Sequence, residues 1–243
     1  MKMLKFVISQ ANLAAIMTAT NAIVNEIKMQ ITEKDIRIEA VDPANVCMVF
    51  VKADAAAFDF FQATPGEIAL DLARLTELTS GKESISIDLE EETHRLTIRQ
   101  GKAKYSMSLI DPNAIKAAPR LPTLDMPCSI TLPGSDLAEA VRAAGKVSDH
   151  VIMAQGESDF SISAKGDIDS FSMKFPLTEL TGIRHGESRA LFSLDYMEDI
   201  AKAAKAWNVT IDSGIDYPAK IAYKAGEAIS VMYLLAPRIE RDD

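Results

Sequence analysis

The sequence predicts an α+β fold made of two copies of one domain, each a mostly antiparallel sheet with its helices gathered on one face. Three observations predict it. Period-two apolar strands dominate the 243-residue chain. Helical periodicity is confined to two short stretches in each half. The order of these elements repeats at a spacing near half the chain, which is the mark of a duplicated domain and not of a solenoid.

The repeat is one of pattern more than identity. With "LAAIMTATNAIVNEIKMQITEKDIRIEAVD" set on "LAEAVRAAGKVSDHVIMAQGESDFSISAKG", Leu13 falls on Leu137, Ile36 on Phe160, Ile38 on Ile162 and Ala40 on Ala164. Past a one-residue insertion, Val46, Met48 and Phe50 fall on Phe171, Met173 and Phe175. Further on, "SISID" matches "NVTID", and "YSMSL" matches "ISVMY".

Each copy opens with a short strand, Leu4–Ile8 or Ser129–Leu132, running into a helix with a serine, Ser9 or Ser135, in the cap position. Leu13, Ile16, Met17, Ile23 and Ile27 give the first helix one apolar stripe. Leu137, Val141, Ala144 and Val147 do so for its counterpart. Alternating strands follow: "IKMQI", "IRIEA" and "VCMVFV", then "VIMAQ", "FSISA" and "FSMKF". A second helix comes next, "DLARLTELTSG" or "DYMEDIAKAAKAW", and three more strands close each copy. Between the copies, "DPNAIKAAPRLPTLDMP" carries four prolines, which exclude a helix or a central strand and leave an extended connector. Its Leu121, Leu124 and Met126 are read, on residue type alone, as packing down on their own domains. The domains expected are 1–112 and 129–243, joined by 113–128.

Composition bounds function more than it names it. An apolar share of 48% and a charged share of 25% are those of an ordinary globular protein. No run approaches the roughly 18 apolar residues of a membrane span, and the N-terminal segment has no sustained apolar core of a signal peptide. Cys47 and Cys128 lie far apart and read as free thiols in a reducing compartment. A net charge of −9 argues against a protein that wraps nucleic acid with its average surface, because tight phosphate binding needs many cations. His94, His150 and His185 have no metal spacing with one another or with the cysteines. There is no phosphate-cradling glycine loop and no nucleophile elbow, and the acidic "DLEEET" sits where a hairpin turn is expected. No catalytic constellation, metal site or cofactor site emerges, so the chain reads as a scaffold.

Two features remain. Arg142 and Lys146 lie four apart on the second copy's first helix, and Lys202 and Lys205 lie opposite Tyr196, Ile200 and Trp207 on its last. Arg74 and Lys82 flank the remaining short helix. Spacing alone makes these a solvated face, helped by Glu198 and Lys202 at i,i+4; helices gathered on one side would put them on a common surface. The second feature is the ending "ISVMYLLAPRIERDD", an apolar elbow where chains usually fray.

The segment "DYPAKIAYKAGEAISVMYLLAPRIE" closely resembles the C-terminus of the sliding clamps of the proliferating cell nuclear antigen (PCNA) family. "IEAVDPANVCMVFV" is similar to that family's Asp-x-x-x-Val segment, and "FSLDYMEDIAKAA" to its last helix. The similarity spans the whole chain, and its length and abbreviated tail look archaeal. The resemblance implies two DNA-clamp domains per chain and a homotrimeric, pseudo-six-fold ring with sheets outside and helices lining a hole. Such a ring encircles duplex DNA without reading its sequence, has no catalysis or cofactor of its own, and is neither secreted nor membrane-bound. It tethers DNA polymerase, clamp loader, flap nuclease and ligase through short peptide motifs. The DNA-facing cations implied are Arg74, Lys82, Arg142, Lys146, Lys202 and Lys205. Ala14, Ala15, Asn21, Asp195, Glu77 and Ser80 stand where the family is often basic, so the lining is weakly cationic. The subunit interface implied pairs "KYSMSL" (Lys104, Tyr105, Met107, Leu109) with "SMKFPL" (Ser172, Met173, Phe175, Leu177) of the next protomer. The partner-peptide pocket implied is formed by Val41, Val46, Met48, Leu121, Leu124, Pro218, Leu234, Ala236, Pro237 and Ile239. Two other readings stay open: a subunit of a heteromeric clamp ring, and an enzyme on a duplicated β-rich fold.

Overall fold

The computed structural model describes residues 4–90, 93–119 and 124–239. These divide into two compact units. The first holds 4–42, 49–119 and 224–231; the second holds 43–48, 124–223 and 232–239. The expected order of elements recurs in each half, with two further strands before the second helix, giving nine strands and two α-helices per half among the described residues.

In the first unit, β1 (Leu4–Ile8), β5 (Phe60–Ala63), β7 (Ile85–Glu90), β8 (Arg95–Gln100) and β9 (Ala103–Ser108) form an antiparallel sheet in the order β5-β1-β7-β8-β9. A second sheet runs β4 (Cys47–Asp54), β3 (Asp35–Val41), β2 (Glu26–Ile31), β6 (Gly66–Asp71). Alternation sets the faces. Phe6 stands beside Ile87 and Ile87 beside Ile98, all buried, while one residue along Lys5, Asp88 and Thr97 share the opposite face. The two helices, α1 (Gln10–Asn21) and α2 (Leu72–Leu78), pack together and bury Leu13, Ile16, Met17, Leu72 and Leu75. Each such side chain contributes about 1.5–3 kcal/mol by leaving water.

In the second unit, β13 (Ser170–Pro176), β12 (Asp159–Lys165), β11 (His150–Gln155) and β15 (Ser188–Ser193) form one antiparallel sheet in that order. The other runs β14 (Thr181–Arg184), β10 (Cys128–Pro133), β16 (Asn208–Ser213), β17 (Ala219–Lys224) to the second half of β18 (Ile229–Leu235). Helices α3 (Gly134–Ala144) and α4 (Leu194–Ala204) lie side by side, burying Leu137, Ala140, Val141 and Ala144 with Met197, Ile200, Ala201 and Ala204. At the start of α3 the Gly134 N–H donates to the carbonyl of Trp207, just past the end of α4, at 2.7 Å. A Cβ there would stand 2.1 Å from the Ala204 carbonyl oxygen, so only glycine fits.

Helix ends depart from the sequence reading. Ser9 caps α1, its Oγ accepting from Asn12 N–H at 3.2 Å, but Ser135 lies inside α3 and bonds Asp136 instead. The first helix stops at Asn21, so Ile23 is in the following turn and Ile27 on β2, not on the helical stripe. Thr20 sits in that last turn with its hydroxyl bonded back to the Ile16 carbonyl, and β-branched residues of this kind extend helices poorly. Cys47 and Cys128 are both buried free thiols, and burial pushes the Cys128 thiol above its ordinary pKa. No helix among the described residues is long and apolar enough to cross a membrane. No group of three or more His, Cys, Asp or Glu among them is placed to hold a metal.

Candidate functional site

The terminal elbow belongs to the second unit and is pinned at both ends. Ala236 N–H donates to the Val46 carbonyl at 2.9 Å, and Arg238 N–H to the Leu191 carbonyl at 2.7 Å. Pro237 between them has no N–H to satisfy and holds the chain extended. The Arg238 guanidinium also contacts the His150 ring.

Beside the elbow lies a pocket of about 330 Å3 lined by Leu124, Asp125, Met126, Arg184, Asp212, Lys220, Met232 and Leu234. Leu124 and Leu234 both line it. Pro218, Ala236 and Pro237 are half-exposed around the elbow, and Ile239 is 80% exposed. Val41 and Met48 are buried, with Val41 in the first unit, so neither offers an open wall here. Leu121 lies outside the described residues. The lining is less apolar than the sequence reading has it. Register puts Arg184, Ser129, Asp212 and Lys220 in one row across β14, β10, β16 and β17. The Asp212 carboxylate accepts from Arg184 at 3.2 Å and Lys220 at 2.9 Å. Burial opposes its ionisation, but the Ser129 hydrogen bond, Lys220 and Arg184 together hold its pKa below the usual carboxylate range. The sequence signal for this row was slight, because its members come from four strands whose registers one chain does not reveal.

The second feature is helical. A groove of about 470 Å3 between α3 and α4 is lined by Ser135, Ala138, Glu139, Val141, Arg142, Glu198, Ala201, Lys202 and Lys205. Three of the expected cations therefore share one surface, with Glu139 and Glu198 among them. Lys146 is exposed just past the end of α3, outside the groove. Arg74 and Lys82 belong to the first unit, and Arg74 Nη1 is paired with Glu77 at 2.8 Å, which offsets its charge.

The third feature lies at two of the sheet edges. β9 ends its sheet in the first unit and β13 ends its sheet in the second; neither has an outer strand partner among the described residues. Lys104 and Tyr105 are exposed on β9, Tyr105 by 39%, while Met107 turns inward. Leu109 falls past the strand, its N–H donating to the His94 carbonyl at 3.0 Å. On β13 Ser172 is exposed and Met173 and Phe175 half-buried, whereas Leu177 is buried in a short 3-10 turn.

A duplicated clamp-like architecture with open sheet edges and a cationic helical groove is the class these features define. The profile described as proliferating cell nuclear antigen, C-terminal domain, matches residues 120–238. A "DNA polymerase sliding clamp" of Methanothrix thermoacetophila is 46% identical over 244 residues, covering 99% of this chain and 100% of that protein. The solved structure described as "C-terminal region of FEN-1 bound to A. fulgidus PCNA" aligns with a TM-score of 0.92 at 33% identity, covering 98% of this chain and 100% of that one. PCNA from Thermococcus kodakaraensis shares the fold, with a TM-score of 0.88 at 21% identity over 97% of this chain and 100% of its own. The chain belongs to the PCNA family of DNA polymerase sliding clamps. That family is a non-enzymatic processivity factor of DNA replication.

Proposed function

We propose that three copies of this chain close into a homotrimeric ring that encircles duplex DNA and tethers replication and repair enzymes to it. The observation that carries this reading is that β9 and β13 each end a sheet with no outer strand partner among the described residues. A strand edge of unpaired N–H and C=O groups invites another strand, and β9 of one protomer meeting β13 of the next is a heterologous contact, which closes into a ring when the rotation per subunit allows. The β9 segment through Lys104, Tyr105 and Met107 then runs beside the β13 segment through Ser172, Met173 and Phe175 of the next copy, while Leu109, past the end of β9, and the buried Leu177 stay outside the strand pairing. Arg142, Lys202 and Lys205, with Lys146, Arg74 and Lys82, face the phosphates. Three cations per groove against two glutamates give weak attraction, and a ring held by topology needs no more. The remaining acidic surface of a chain at −9 repels stray nucleic acid.

The elbow pocket receives short peptide motifs of partners: DNA polymerase, clamp loader, flap nuclease and ligase. Leu124, Met126, Met232 and Leu234 offer the apolar seat; Val46, Pro218, Ala236, Pro237 and Ile239 frame it. The ring works inside the cell on chromosomal DNA.

Light scattering across a dilution series tests the assembly. The expected mass is near three times 26.4 kDa. A monomer mass at every concentration would contradict the homotrimer and leave a heteromeric ring as the reading to pursue.

A further inference from the structure

We propose that the first unit carries a second docking groove, separate from the elbow pocket, for an extended basic peptide with apolar side chains at alternate positions. The internal repeat points to it. Past the last strand of each half the chain turns back and makes one antiparallel bridge, Ile110 to Ala69 in the first unit and Arg238 to Leu191 in the second. The donors match: Ile110 N–H to the Ala69 carbonyl at 2.8 Å, and Arg238 N–H to the Leu191 carbonyl at 2.7 Å. Ala69 and Leu191 also stand at matching places, each two residues before the N-cap of the next helix, Asp71 or Ser193. Leu109-Ile110 is therefore a shorter copy of the elbow.

Next to it lies a groove of about 420 Å3. Its apolar surface comes from Leu89, Leu109, Ile110 and Pro112, each partly exposed, and its rim carries the exposed Glu67, Asp111 and His94, two carboxylates against one imidazole. The groove opens on a free strand edge. β6 ends its sheet, with Ala69 the residue bridged by Ile110. Because alternate residues of a strand direct their backbone groups the same way, Glu67 points its N–H and C=O outward beyond Ile110. An extended peptide laid along β6 would pair with these groups and place every second side chain against Leu89, Leu109 and Ile110.

Charge selects the occupant. Lys28 lies 3.8 Å from Glu67 and offsets part of its charge, while Asp111 accepts from the Asn113 N–H and side-chain amide and pairs with no cation among the described residues. The rim is thus net acidic. It favours lysine or arginine flanking the apolar anchors and disfavours a second copy of this chain, whose net charge is −9.

The inference borrows its analogy from the reading of the elbow pocket, and the test separates the two. The full-length protein is titrated with a blocked heptapeptide of alternating lysine and valine, and with its glutamate–valine counterpart, while methyl NMR signals are followed. The lysine peptide is expected to shift Ile68, Leu89, Leu109 and Ile110 and to bind at least about tenfold more tightly than the glutamate peptide. Glu67→Lys with Asp111→Lys should remove that preference without altering the native mass, and Leu234→Ala should leave it intact. Equal binding of both peptides, shifts confined to the surroundings of Leu234, or loss of the assembled mass in the Glu67→Lys, Asp111→Lys variant would each overturn the proposal. An elbow pocket that fails to bind partner peptides would leave these outcomes unchanged.

Discussion

Asp212 sits nearly buried between two cations, and its low pKa makes it a source of pH-dependent stability. The folded pKa lies below the unfolded one, so the contribution is fully present above about pH 4 and is lost as pH falls through the folded value. Asp35, held low chiefly by its hydrogen bond from Arg37, acts in the same sense. We predict that Asp212→Asn flattens the fall of the thermal midpoint below about pH 4 relative to the parent protein; an unchanged acid limb would contradict this. Gly134 gives a second residue-scale expectation. Gly134→Ala should destabilise the protein by about 1–3 kcal/mol in urea unfolding, because its Cβ meets the α4 backbone and not a flexible side chain. Neither residue was legible as special in the sequence. The Gly134 contact is with a helix far along the chain, and "LPGSD" advertised a serine cap that the structure does not use. Leu234 and Pro237 stand out in the sequence because an alternating apolar strand runs there into an apolar segment bent at a proline.

At the scale of elements, strands were read more securely than helices. Strands such as "FSISA" and "IRIEA" alternate at every residue and one face is buried, so their period is unambiguous. Helix ends turn on single residues that an apolar period does not record, as the stop of α1 just after Thr20 shows. The open edges β9 and β13 were located in sequence only through the family resemblance, since an edge strand and an inner strand share one period. Tyr105, the exposed aromatic of β9, is the place to break such an edge. We predict that Tyr105→Asp lowers the native mass in light scattering while leaving the circular dichroism spectrum of the monomer unchanged. A variant that keeps the parent mass would remove β9 from the interface. On the helical side, Arg142→Glu with Lys202→Glu reverses the sign of the α3–α4 groove. It should shorten residence on DNA most strongly at low salt, where screening is weakest.

For the whole molecule, an acidic chain that works on DNA is not a contradiction once binding is topological. Affinity would demand many phosphate contacts and would stall movement; enclosure demands only a hole and a weakly attractive lining. The charge of −9 argues against a protein that wraps nucleic acid with its average surface, and it is the duplicated domain and the terminal motif, not composition, that point to a clamp. The most direct test of enclosure is retention on DNA before and after cutting. The protein is loaded onto a nicked circular plasmid with its clamp loader, freed of unbound protein by gel filtration, and the circle is then linearised by a single-site nuclease. The account predicts that the protein stays with the circle and is released when the ends are opened. Release from the intact circle at the same rate, or retention on the linear product, would contradict it.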